Sequence, residues 1–144
     1  MLDCIGNNDL KDNLYQDIRD IENCINVGAW KPAVIMCGSV LEAILSDWLS
    51  QHDKDDVKKA FQRLYPSKKV KKVVNFTLEE LIDVGEELNI IHGYHATISE
   101  GIRNFRNLIH PNLALRQQIR PNKAIAEIGK QIVFAILQEG MKIK

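Results

Sequence analysis

Apolar residues recur along this chain at spacings of three and four with polar residues between them, the pattern of helices that bury one face. Leu10, Leu14, Ile18, Ile21 and Ile25 mark a first helix, with Asn8 or Asp9 as its N-cap and Gly28 as its stop. A second is predicted from Pro32, whose missing N–H costs nothing at the first helical position, to about Leu49. Its middle, Ala33 to Leu45, is apolar on nearly every side, which assigns it to the centre of a bundle. Val57, Ala60, Phe61 and Leu64 give a short third helix, ended by Tyr65-Pro66-Ser67. The fourth begins with a capping box, Thr77 with Glu80, and has Phe76 and Leu81 at staple positions. A fifth is expected over 95–110, where Pro111 pushes His110 away from helical geometry. A last helix is expected from Pro121, with Ile125, Ile128, Ile132, Ala135 and Ile136 inward. No strand pattern of any length is visible. The prediction is an all-α bundle of five to six helices in one domain, 1–144, with its core at about 8–140 and a basic loop over 65–76.

Composition narrows the chemistry mainly by exclusion. Hydrophobic content of 45% and charged content of 26% are those of a globular chain. No leader pattern opens the sequence and no apolar run reaches about 18 residues, so a cytoplasmic protein without a membrane span is expected. Cys4, Cys24 and Cys37 are widely spaced, without a CxxC, and read as reduced thiols, Cys37 being a core residue. His92-Gly93-Tyr94-His95 lacks the Cys or carboxylate pair that would complete a zinc site, so no metal is expected. Neither GxGxxG nor a P-loop occurs, and no cofactor is expected.

The net charge is zero, but its distribution is uneven. Residues 58–74 carry 7 bases and no acid, and residues 75–100 carry 6 acids and no base. Residues 1–57 are acidic overall, and 101–144 basic. The basic blocks could face one polyanion. Lys68, Lys69, Lys71 and Lys72 are then candidates for an RNA backbone, with Phe61 and Tyr65 as the nearby stacking groups. Equally, acidic and basic segments could pair with each other within the fold, leaving the lysines in a solvated loop.

One stretch concentrates catalytic residue types: Arg103-Asn104-Phe105-Arg106-Asn107-Leu108-Ile109-His110-Pro111. At about 100° per residue, Arg103, Arg106, Asn107 and His110 share a stripe roughly 100° wide, opposite Ile98, Ile102, Phe105 and Ile109. An imidazole moves protons near neutral pH, and a guanidinium offers a permanently charged fork of donors to phosphate oxygens. The stretch could also be a plain helix end, since Arg106 and His110 would favour the negative end of the dipole there. Glu42 is the only charged residue between Lys31 and Asp47, with Ser39 and Ser46 on its helical face. Such a carboxylate needs a partner or a polar seam. Arg103 or Arg106 is the natural partner, in a structural ion pair or in a pair that orients an arginine.

An arginine, a polar residue and, further on, a histidine resembles the motif of the HEPN superfamily (higher eukaryotes and prokaryotes nucleotide-binding). Arg103, Asn104 and His110 fit its spacing; Arg106 stands too close to His110. Cys37-Gly-Ser-Val-Leu-Glu-Ala43 and Arg106-Asn-Leu-Ile-His-Pro111 are similar to bacterial HEPN-like domains. The resemblance implies a helical bundle that homodimerises, so that two Arg…His helices build a shared cleft. It also implies a metal-independent endoribonuclease of toxin–antitoxin or phage-defence systems, with an antitoxin or another protein as partner. On that reading Arg103 and His110 are catalytic, Asn104 and Asn107 orient, and Glu42 and Arg106 support. Two other roles stay open: a non-catalytic module for nucleic-acid or protein partners, and a helical partner of a nucleotidyltransferase.

Overall fold

The computed structural model describes residues 1–92, 101 and 120–142. The chain is an all-α bundle, and five α-helices lie among the described residues: α1 (Asn8–Asn26), α2 (Trp30–Gln51), α3 (Lys54–Leu64), α4 (Leu78–Glu87) and α5 (Lys123–Lys142). A single 3-10 turn, Val73–Asn75, precedes α4. The helix expected over 95–110, with its Arg…His motif, lies outside the described residues.

Local chemistry sets the boundaries. Asn7, not Asn8 or Asp9, caps α1: its side chain accepts from the N–H groups of Asp9 and Leu10 at 3.0 and 3.2 Å. Asn7 stands one residue before the expected candidates, with the extended backbone of a cap, and the helix starts at Asn8. Gly28 ends α1 in the left-handed region at φ +76°, returning its N–H to Ile25. Helix α2 starts earlier than expected, with Pro32 inside its first turn, where its lack of an N–H is still harmless. Asp53 caps α3, and Thr77 with Glu80 forms the expected capping box on α4. Asn122 caps α5, accepting from Ile125 N–H at 2.9 Å, so Pro121 precedes the helix instead of starting it.

Helix α2 is the axis. It packs against α1, α4, α5 and the 3-10 turn, while α3 packs on α4. Ten of its residues are buried, among them Ala33, Val34, Cys37, Leu41, Ile44 and Leu45. By length and composition α2 alone among the described helices could cross a membrane, with a mean hydropathy of 1.5. Just over half of this stretch, 56%, is buried inside the bundle, as a core helix requires.

The inward face of α5 is the expected one at Ile132 and Ile136 and departs from it at Ile128. Ala126, Ile132, Val133, Ile136 and Leu137 are buried, whereas Ile128 is 49% exposed and Ile125 and Ala135 are half-buried. Gly129 and Gly140 lie on the buried stripe.

None of the three cysteines is in a disulfide; Cys4 and Cys37 are buried and Cys24 half-buried. Burial pushes the Cys37 thiol up to about 12, only partly opposed by the charge of Lys130. We expect one fast-reacting thiol per chain with a disulfide reagent at pH 8, and Cys24→Ser to remove it; three equally fast thiols would contradict this packing.

Candidate functional site

On the outer face of α2, Ser39, Glu42 and Ser46 line up at helical spacing, and Glu42 is exposed, not buried. With Ala43 they form one wall of an open cleft of about 290 Å3; Val73, Val74, Phe76 and Leu81 form the other. Glu42 makes no ion pair with another described residue. Of the two possibilities for this acid, the polar seam is what the described residues show. The cleft presents one carboxylate and two hydroxyls against an apolar wall, an arrangement that accepts a cationic donor such as a guanidinium.

Arg103, Asn104, Arg106, Asn107 and His110 lie outside the described residues, as does His95. His92 is exposed. Among the described residues no three His, Cys, Asp or Glu side chains converge as metal ligands would.

The basic loop is organised by an acid of α4. Glu80 is 1% exposed, and its carboxylate accepts from Lys71 Nζ at 2.7 Å, Lys68 Nζ at 3.5 Å and the Thr77 N–H at 2.8 Å. Lys68 also stands 4.4 Å from the centroid of the Tyr65 ring, and the Tyr65 hydroxyl donates to Asp83. Burial, and then that bond to a carboxylate, hold the phenol above its usual range. Arg63 pairs with Glu87 at 3.0 Å across the same two blocks. Two of the four lysines considered for RNA, Lys68 and Lys71, are therefore engaged internally, while Lys69 and Lys72 are exposed. Pairing between the basic and acidic segments is the arrangement found here.

The chain matches no family model, no curated protein and no solved structure.

Glu80 was visible in the sequence as half of a capping box, but its second role, as counter-ion to the loop, was not. The available signal was the abrupt change from a wholly basic to a wholly acidic block, which a short connection can fold back on itself. Burial on its own would raise the Glu80 pKa; the Lys71 hydrogen bond, the Thr77 donors and the Lys71 charge outweigh it and hold the carboxyl below its ordinary 4.5. A depressed folded-state value adds stability above the ordinary pKa, and this is lost as pH falls through the folded one. Glu80→Ala, which removes the cap and the lysine partner together, is expected to cost about 2 kcal/mol at pH 7. Glu80→Gln keeps an acceptor for Thr77 and should cost about half as much. In urea titrations the gap between Glu80→Gln and the parent should narrow as the pH falls below 4.5 and through the depressed folded-state pKa of Glu80. A gap that acidification leaves unchanged would show that the charge is irrelevant.

Proposed function

We propose that the chain is a HEPN-like, metal-independent endoribonuclease of the cytoplasm, acting as a homodimer in a toxin–antitoxin or phage-defence setting. Support comes from Glu42. The most apolar helix of an all-α bundle holds its one mid-helix acid on an open seam, flanked by two serines, where a guanidinium can reach it. On this reading Glu42 positions Arg103 or Arg106, and the Arg…His helix supplies the reacting groups.

The reaction is a transesterification. His110 takes the proton of a 2′-hydroxyl, whose oxygen attacks the adjacent phosphorus. Arg103 neutralises the charge that accumulates on the phosphoryl oxygens, and Asn104 and Asn107 orient the substrate. The O2′–P bond forms, the P–O5′ bond breaks, the leaving O5′ takes a proton from water, and His110 returns the abstracted proton to solvent. The products are a 2′,3′-cyclic phosphate and a 5′-hydroxyl.

The test is incubation of the protein with mixed RNA in EDTA, at concentrations where it is dimeric, followed by analysis of the ends. Cleavage with cyclic phosphate termini supports the proposal. Termini with 3′-hydroxyls and a magnesium requirement would rule it out. No cleavage at all would favour a non-catalytic interaction module or a nucleotidyltransferase partner.

A further inference from the structure

A second concavity adjoins the Glu42 seam and shares Val73, Val74 and Phe76 with it. Between the end of α2, α3 and the segment 70–76 runs an open trough of about 730 Å3, well within the range of ligand-sized sites. Its lining is largely apolar: Leu49, Val57 and Phe76 form a buried floor, and half-buried Val70 and Val73 with exposed Val74 present the accessible apolar strip. Lys54 and Lys58, one turn apart on α3, and Lys71 and Lys72, before the 3-10 turn, add four cations, and no acidic side chain lines it. Glu80 engages Lys71. Lys54, Lys58 and Lys72 are exposed and form no ion pair with a described residue. Val74 also lines the trough and is 74% exposed.

These features select among occupants. A single-stranded nucleic acid needs stacking faces, and the one aromatic lining residue, Phe76, is only 4% exposed. A simple anion has no use for an aliphatic lining. A short helix with apolar residues at every third and fourth position and carboxylates on its flanks satisfies both the lining and the lysines. We propose that this trough docks an acidic amphipathic helix of a protein partner: its leucine-type side chains sit on the valines, and its carboxylates meet Lys54, Lys58 and Lys72. Charge complementarity sets the partner's sign, and the apolar strip sets its register. The inference is independent of the ribonuclease reading and needs no residue of the Arg…His motif.

The experiment is selection on the intact chain from a displayed library of randomised peptides about four helical turns long. The enriched sequences should converge on a Leu/Ile stripe flanked by Asp and Glu. A synthetic copy of the best one should bind one to one and weaken with added salt. Its affinity should fall by about tenfold or more in Lys58→Glu and again in Val74→Glu. Both positions are exposed, so thermal melts of the variants should match the parent, which separates lost docking from lost folding. The proposal is overturned if nothing is enriched, if the enriched peptides carry basic flanks, or if their binding ignores both substitutions. It is equally overturned if an oligouridylate binds at these lysines more tightly than any selected peptide.

Discussion

Gly140→Ala is expected to destabilise the fold by about 3 kcal/mol, among the larger costs of overpacking a core. A Cβ at this position would overlap Cζ2 of Trp48 and lie 2.7 Å from its Cη2 and 3.0 Å from Cys4 Cβ. None of these atoms is the loose end of a flexible chain. The Trp48 indole is 8% exposed, and its Nε1 donates to the Cys4 carbonyl at 3.2 Å, so the ring cannot swing aside without breaking that bond. Replacing a helical glycine by alanine would otherwise gain roughly 1 kcal/mol, so a net loss has to be steric. Gly85→Ala is the control. Its Cβ would meet mainly the terminal Cδ1 of Ile91 at 3.0 Å, which can shift, and near-neutral stability is expected. Urea denaturation of both variants, with Trp48→Phe added to Gly140→Ala, checks the argument. The smaller ring should restore part of the loss, as coupled neighbours do. A Gly140→Ala protein as stable as its parent would mean that α5 does not approach Trp48 so closely.

The second large effect belongs to the proposed reaction. Arg103→Ala and His110→Ala should each lower RNA cleavage in EDTA by about a hundredfold or more, the usual scale for losing a proton-transfer group or an electrostatic stabiliser. Arg103→Lys keeps the charge but not the planar fork, and should recover only a fraction. Glu42→Gln should act through the arginine and have a smaller effect than either. Melting temperatures equal to the parent's are the necessary control, because an activity lost through unfolding says nothing about chemistry. If both alanine variants cleave as well as the parent, the activity lies elsewhere on the chain.

Much of the architecture was legible in the sequence because its signals were local. The Thr77–Glu80 box, Gly28 and the stripe Leu14, Ile18, Ile21, Ile25 each act within a few residues, and the helices form where these signals place them. Helix α5 shows where local reading fails. The isoleucines dominate its periodicity, and Ile132 and Ile136 are buried as that pattern predicts, but Ile128 is not, and the buried face also takes in Ala126, Gly129, Val133 and Gly140. Small residues add little transfer free energy to a pattern, but they let a helix lie close to its neighbour, and here the neighbour is Trp48. Closeness of approach is a property of two helices, which no single-helix periodicity contains. The candidate site divides in the same way. Ser39, Glu42 and Ser46 were readable as one face of one helix. That Lys68 and Lys71 turn inward to Glu80 depends on how a loop folds over α4, and composition alone leaves that open.

The place of α2 also bears on how the chain is made. Its apolar flank is covered in part by α5, which begins about seventy residues downstream. During translation α2 therefore leaves the ribosome before that cover exists, shielded first by α1 and later by the 3-10 turn and α4. Until residue 123 has been made, the flank of α2 that α5 covers stays open, so ribosome stalling ahead of that point would leave an aggregation-prone intermediate.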